Sequence, residues 1–322
     1  MNNGRFAGLL VAALLLTSLP LCADEAFVTT QGADALDIVD LTSLSVVATL
    51  PIGGKPAGVS VSRDGARAFV TSPEGKFLTV IDARAHRIER RIPVEGGPLG
   101  VAASPDGGRV YVADLYGKRL VEIDPASGAT LRSVGVGTMA SGVAATPDGK
   151  TILVADRDDN AISIIDAASF QRVATLAVGR HPFGVAIDAA GARAYTADVE
   201  SDSVSVIDLS ARRVVATLKT GSRPYTVALA AGRIFVANQH ADSVSVFDAA
   251  SLAPVGEVKV GEYPEGVAAT RDGAKVLVAC WFSNELWAID PVRLSVAGRA
   301  TTGDGPRAFG LFTGAGAPRP PD

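Results

Sequence analysis

The sequence predicts an all-β fold, a seven-bladed β-propeller with four antiparallel strands per blade, because two residue types recur at nearly constant intervals. Glycines recur every 41 or 42 residues, and aspartates that end an apolar segment recur every 40 or 42 residues. The seven copies are Gly65, Gly107, Gly149, Gly191, Gly232, Gly273 and Gly314, and Asp40, Asp82, Asp124, Asp166, Asp208, Asp248 and Asp290. Repeats of about this length that hold four short strands are typical of propeller blades.

Each repeat contains four short segments rich in Val, Ile, Ala and Thr. In one copy GVAATPDG is a strand and turn, KTILVAD and NAISIID are two further strands, and QRVATLAVG is a fourth. The Asp148-Gly149 pair supplies the backbone conformations of a tight hairpin. The apolar runs are nearly continuous, which is typical of sheets buried on both faces. We label the strands A to D from the inside of the ring outwards.

The two ends of the chain are expected to close the ring within one blade. After its first residues the chain begins with a B-type strand, AFVTT, and it ends with an A-type strand, AFGLFTG. Pairing of the N-terminal strands B, C and D with this C-terminal strand A leaves no open sheet edge. The sequence therefore predicts one propeller domain over residues 24–314, followed by a disordered tail rich in Pro and Gly over residues 315–322.

Residues 1–23 are typical of a secretory signal peptide. Arg5 precedes an apolar run that is too short to span a membrane, and Pro20 and Ala23 follow it. We expect cleavage near Ala23, a periplasmic or secreted protein and no membrane span. Lipid anchoring at Cys22 is the alternative, although the bulky Leu21 stands where a small residue is usual.

The composition argues against several classes of function. The net charge of −4 gives no electrostatic basis for binding nucleic acid or an anionic membrane. The sequence contains no G-x-S-x-G elbow, no H-E-x-x-H pair and no phosphate-binding loop. If Cys22 is removed with the signal peptide, Cys280 has no disulfide partner. A non-catalytic role is therefore favoured over an enzyme, and a monomer is expected.

Several motifs resemble the YVTN-type β-propeller repeat. They are the B strands AFVTS, VYVAD and IFVAN, the SPDG turn at residues 104–107, the VSVID strand at residues 204–208 and the VG-x-x-P-x-G-V-A loops. The resemblance covers residues 26–314. It implies the propeller fold and leaves function open, because this broad group includes exported binding proteins, subunits of electron-transfer dehydrogenases and haem-binding domains.

Comparison of the seven repeats separates constant from variable positions. The loop from strand D to the next strand A has a nearly constant Gly and Pro, and the residues on either side of the Pro vary. This loop and the B-to-C loop are expected on one side of the ring, the top face, where the variable residues surround the mouth of the central channel. The candidate ligand-binding residues on this face are Lys55, Tyr116, Arg157, Arg180, His181, Phe183, Arg223, Tyr225, His240, Tyr263, Trp281, Phe282 and Arg307.

Three functions remain open for the top face. The first is a binding scaffold for a protein or small ligand, with no cofactor. The second is an accessory role in a periplasmic redox or cofactor-handling system, in which His181, His240 and Asp198 would be weak candidate ligands for a metal or haem. The third is binding of single-stranded nucleic acid by the aromatic residues. Asp114, Asp156 and Asp198 recur after strand B, and we expect a turn role for them rather than a cation site.

Overall fold

The computed structural model describes residues 22–318, which form seven four-stranded antiparallel sheets arranged as the blades of a propeller. The all-β class, the blade number and the four strands per blade are confirmed. Within blades 2 to 7, neighbours in the chain are neighbours in the sheet, with strand A innermost and strand D at the outer edge. Most of the expected signal peptide, residues 1–21, and residues 319–322 lie outside the described residues.

The strands have the following bounds. Blade 1 contains β1 (Cys22–Thr30), β2 (Ala35–Asp40), β3 (Ser45–Pro51) and the last strand of the chain, β28 (Thr313–Pro318). Blades 2 and 3 contain β4 (Val59–Val61), β5 (Arg67–Ser72), β6 (Phe77–Asp82), β7 (Arg87–Pro93), β8 (Pro98–Ala103), β9 (Val110–Asp114), β10 (Arg119–Ile123) and β11 (Thr130–Gly135). Blades 4 and 5 contain β12 (Ala140–Ala145), β13 (Thr151–Asp156), β14 (Ala161–Asp166), β15 (Gln171–Ala177), β16 (Pro182–Ile187), β17 (Arg193–Asp198), β18 (Ser203–Asp208) and β19 (Arg213–Lys219). Blades 6 and 7 contain β20 (Pro224–Ala230), β21 (Arg233–Asn238), β22 (Ser243–Asp248), β23 (Pro254–Lys259), β24 (Pro264–Ala269), β25 (Val276–Cys280), β26 (Glu285–Asp290) and β27 (Ser295–Thr301). A short 3₁₀ helix, Arg157–Asp159, lies in the B-to-C loop of blade 4.

The blades stack through the apolar side chains of both sheet faces. Phe27, Phe69, Tyr195 and Phe235 are among the largest side chains that are fully buried. Cys280 ends strand β25 and is also fully buried, so that burial raises the pKa of its thiol. Within residues 22–318, no helix is long and apolar enough to cross a membrane.

Small residues allow the innermost strands to approach one another around the central channel. A Cβ atom added at Gly100 would lie 1.8 Å from the carbonyl oxygen of Ser141 in the next blade. One added at Gly142 would lie 2.2 Å from the carbonyl oxygen of Phe183. Any larger residue would push neighbouring blades apart, so the repeated Gly of the inner strand sets the width of the ring.

Ring closure differs in detail from the sequence expectation. The regular pairing of the last strand with β1 begins at Thr313, opposite Ala26, and residues 307–312 form an irregular bulge. In this bulge the carbonyls of Phe309 and Leu311 accept hydrogen bonds from the backbone N–H groups of Val59 and Val61, both at 2.8 Å. The A strand of blade 1 is therefore joined to the A strand of blade 2 as well as to β1. Strand β28 continues to residue 318, past the start of the expected tail.

Candidate functional site

The strand pairing places the D-to-A loops and the B-to-C loops on one face of the ring, the top face. In blade 3, Pro98 at the start of strand A pairs with Asp114 at the end of strand B. The start of strand C pairs with the end of strand D, Arg119 with Gly135. His86, in a C-to-D turn on the opposite bottom face, lies 3.0 Å from a carboxylate oxygen of Glu25.

The residue before the Pro of the D-to-A loop has a left-handed backbone in most of the repeats. Lys55, Met139, His181, Arg223 and Tyr263 have φ values between 54° and 59°, although none of them is a glycine. This conformation is unfavourable for residues with a Cβ and needs compensation from the surrounding structure.

For four of these five residues an Asp or Asn side chain located 21 residues upstream supplies that compensation, whereas the residue 21 positions before Met139 is Lys118. The backbone N–H of His181 donates to the Asn160 side-chain oxygen at 2.8 Å, and that of Arg223 donates to Asp202 at 2.8 Å. The equivalent pairs are Lys55 with Asp34, Tyr263 with Asp242 and Gly305 with Asn284. The B-to-C loop of one blade thus fixes the loop that leads into the next blade. Since the Asp or Asn binds the backbone N–H in each of these pairs, the side chain at the left-handed position can vary, although the Lys55 ammonium also binds Asp34.

The residues after the Pro close the top of the channel instead of surrounding an open mouth. Phe183 stacks on Tyr225, with ring centroids 4.0 Å apart, and contacts Phe309 at 4.7 Å. Leu99 and Leu115 pack in the same cluster. Phe183 and Tyr225 were expected to face a ligand, but both are buried in this plug, because the start of each inner strand directs this side chain towards the ring axis.

A buried polar network completes the plug. The guanidinium Nε of Arg307 lies 3.0 Å from a carboxylate oxygen of Glu265, and its Nη2 donates to the Tyr225 hydroxyl at 2.5 Å. Gln239 donates to Glu265 at 2.8 Å, and Arg307 donates to Gln31 at 3.2 Å. Burial raises the pKa of the Glu265 carboxyl, although Arg307 and Gln239 act to lower it. Arg307, a candidate ligand-binding residue, therefore has protein partners.

A charged zone lies on the top face across blades 4 to 6, and its centre is Glu200. The Glu200 carboxylate lies 3.8 Å from His181 and 3.9 Å from Arg223, while its carbonyl accepts a hydrogen bond from Arg180 at 2.7 Å. Partial burial and the charge of nearby Arg157 lower the pKa of His181. At neutral pH His181 is therefore mainly neutral and can both donate and accept a hydrogen bond.

An aromatic zone adjoins the charged zone. The rings of His240 and Tyr263 are 5.5 Å apart, and those of Tyr263 and Phe282 are 4.7 Å apart. Phe282 is 63% exposed. The backbone N–H of His240 donates to the carbonyl of Ser222, which precedes Arg223, so the two zones share a loop contact.

The remaining exposed or half-buried candidates are Tyr116, Trp281 and Lys55. Tyr116 is 68% exposed and its ring lies over Gly97. Trp281 packs against Gly305. The Lys55 ammonium, in the loop from blade 1 to blade 2, is 3.1 Å from Asp34 in the B-to-C loop of blade 1. The structure thus groups Arg157, Arg180, His181 and Arg223 with the aromatic zone, which Trp281 adjoins. It leaves Tyr116 and Lys55 elsewhere on the ring.

The residues that end strand B link strands more than they shape turns. Asp114 has the expected turn role, accepting from Gly117 N–H at 2.9 Å, and it also accepts from Arg119 at 3.0 Å. Asp156 accepts instead from the N–H of the neighbouring D-to-A loop and from a strand C serine.

Asp198 is the only one of these three aspartates with an unpartnered buried oxygen among the residues that the structure describes. It is fully buried and accepts a hydrogen bond from Ser205 at 2.6 Å. Its Oδ1 has no hydrogen-bond partner among the residues that the structure describes. Burial raises the pKa of Asp198 to about 7.

The described part of the chain contains no group of three or more His, Cys, Asp and Glu residues that could hold a metal ion. His181 has Glu200 as its charged neighbour, and His240 packs on Tyr263. The candidate set of His181, His240 and Asp198 is therefore not brought together by any contact in residues 22–318.

Sequence reasoning missed the acidic and amide partners of the top face. Glu200 links two candidate residues, and Glu265 and Gln239 hold Arg307 in the plug. The Asp and Asn residues that fix the left-handed loops were also missed. A signal for them exists, because Asn160, Asp202 and the equivalent residues recur immediately before strand C at the period of the repeat.

Comparisons with known proteins agree with this architecture. Residues 22–103 match the family model of the YNCE-like beta-propeller. A search of the curated proteins finds no match. Among solved structures, Kuenenia stuttgartiensis hydrazine synthase is similar over 78% of this chain and 88% of that chain, with a TM-score of 0.72 and 22% identity.

A functionally unknown protein from Desulfotomaculum acetoxidans DSM 771 is similar over 89% of this chain and 99% of that chain, with a TM-score of 0.77 and 14% identity. Likeness at these identities shows the propeller fold alone.

Proposed function

We propose that this propeller is an exported, non-catalytic scaffold that binds a protein partner through its top face. The supporting observation is the set of left-handed loops, in four of which an Asp or Asn fixes the backbone of a non-glycine residue whose side chain varies. A rigid frame that presents different side chains at equivalent positions suits recognition. The resemblance of the repeats to the YVTN type, which includes exported binding proteins, agrees with this proposal.

The side chains on this face are those that contribute most to protein interfaces. Tyr, Trp and Arg are enriched among residues that dominate binding energy. Tyr116 and Phe282 expose large rings, and Arg223 lies beside the aromatic zone. The buried plug beneath them makes the top face a continuous platform, which suits a macromolecular partner better than a small ligand.

Site-specific photo-crosslinking in the native host tests the proposal. A photoreactive phenylalanine analogue at Tyr116 or Phe282 should give an adduct with one common partner. The matched controls are Val173 and Val255, exposed apolar residues of the outer strands β15 and β23. Adducts formed equally from the outer strands, or formed from none of the top-face positions, would contradict the proposal. Haem absorbance or a stoichiometric metal in protein from the native host would favour the cofactor-handling alternative.

A further inference from the structure

The central channel opens on the bottom face, opposite the proposed partner surface. Below the plug it forms a cavity of about 670 Å³. Sites for small ligands usually have volumes of about 300–1,000 Å³. The top of the cavity is closed by Phe309 and its neighbours in the plug, so a ligand would enter between the A-to-B turns of the bottom face.

The wall of the cavity is formed by the inner strands and is largely apolar. Each blade from 2 to 7 contributes Val, Ala, Leu or Ile from its A strand, such as Val101, Val143 and Val227. In addition, Leu311 of the irregular segment 307–312 lines the cavity and is 56% exposed. Binding of an apolar ligand is favoured when it covers a large apolar side chain that faces a concave cavity, because apolar surface is removed from water.

The exposed position of Leu311 is enforced by the backbone. Its carbonyl accepts a hydrogen bond from the Val61 N–H at 2.8 Å. The preceding Gly310 has a φ of 118°, and a Cβ atom there would lie 2.4 Å from the carbonyl oxygen of Val59. The bulge of the closing strand therefore holds Leu311 in place, so the feature does not result from a loose surface loop.

Positive charge is present at the mouth of the cavity. Arg63 and Arg271 are the charged side chains among its lining residues. The Arg271 guanidinium donates to the main-chain carbonyl of Arg63, which makes the two residues neighbours. No ion pair among the described residues includes Arg63 or Arg271, although Asp24 is close enough to Arg271 to feel its charge. Two unpaired guanidinium groups beside an apolar cavity favour a carboxylate ligand.

We propose that this cavity binds a small amphiphilic carboxylate. Its apolar part contacts Leu311 and the valines of the inner strands, and its carboxylate is bound at the mouth by Arg63 and Arg271. The site is separate from the top face, so the two proposals can fail independently.

Isothermal titration calorimetry with three probes of equal chain length tests the site. The probes are decanoate, 1-decanol and decyltrimethylammonium. We expect decanoate to bind at least tenfold more tightly than the alcohol, and the cation to bind more weakly than the alcohol. Absence of decanoate binding, or equal affinity for decanoate and decanol, would overturn the proposal.

Two variants and one control assign the contacts. The double variant Arg63→Gln/Arg271→Gln should lose at least tenfold in decanoate affinity and no longer distinguish it from decanol. Leu311→Glu places a negative charge in the mouth at an exposed position and should abolish decanoate binding without unfolding the protein. Arg84→Gln is the control, because Arg84 is exposed on the bottom face and is not among the lining residues. Unchanged affinity in both test variants, or an equal loss in Arg84→Gln, would refute the assignment.

Discussion

Replacement of Asp198 by Asn should change how the stability of the protein depends on pH. Burial raises the pKa of Asp198 from 3.8 to about 7. The native state therefore holds a proton that the unfolded chain releases between these pH values. For this group alone, the free energy of unfolding is greatest below pH 4 and falls as the pH rises to about 7. The total decrease corresponds to about 4 kcal/mol.

The next blade indicates that asparagine fits this position. Asn238 ends strand B of blade 6, and its amide donates to Ser245 at 2.8 Å and to Ser243 at 3.2 Å. Strand C of blade 5 has serines at the equivalent positions, 203 and 205. Asp198→Asn should therefore have about wild-type stability at pH 4.5 and exceed it by up to about 4 kcal/mol at pH 8.

Urea unfolding followed by tryptophan fluorescence between pH 4.5 and 8.5 measures this difference. Asp114→Asn is the matched control, because Asp114 accepts hydrogen bonds from Arg119 and from backbone N–H groups. That variant should lose about 1–3 kcal/mol, since it weakens satisfied interactions. If the stability of Asp198→Asn runs parallel to that of the wild type across the pH range, Asp198 is not protonated in the native state and the reasoning fails.

Three other predictions concern packing, the plug and the thiol. Gly100→Ala should force two inner strands apart, which lowers the free energy of unfolding by about 1–3 kcal/mol and lowers the melting temperature. Gly135→Ala is the control and should leave the melting temperature unchanged, because no atom lies within 4 Å of the added Cβ. Arg307→Met should destabilise the fold by about 3–5 kcal/mol in urea unfolding, because Glu265 then stays buried without its cation; wild-type stability would contradict this. Cys280 should react with a thiol reagent, as followed by peptide mass spectrometry, only after unfolding; labelling in the native protein would show that it is accessible.

The architecture could be predicted from the sequence because every repeat contains the same pattern of strands and turns. Asp148-Gly149 and its equivalents mark the same hairpin in successive repeats, and the apolar strands keep the same order. The details of closure could not be predicted, since residues 307–312 look like the A strands of the other repeats in sequence and nothing in them marks the irregular segment. Its geometry depends on backbone hydrogen bonds to Val59 and Val61, which are distant in sequence.

The candidate site could be predicted only in part from the repeat. Spacing placed His181 and Arg223 on one face, but it could not tell which variable side chains point outwards. Phe183 and Tyr225 immediately follow the prolines and turn towards the ring axis, so they are buried. The cavity on the bottom face was not foreseen, because its wall consists of residues that look like ordinary strand positions in every repeat.

The left-handed loops have a consequence for how this protein can diversify. In four of the loops an Asp or Asn accepts a hydrogen bond from the backbone N–H of a non-glycine residue before the proline, as Asn160 does from His181. Lysine, histidine, arginine and tyrosine already occupy this position within one chain. Mutation there changes the surface chemistry while the supporting hydrogen bond stays intact. The side chains before the prolines can therefore be replaced one at a time, so that the binding specificity of the top face can evolve without loss of the fold.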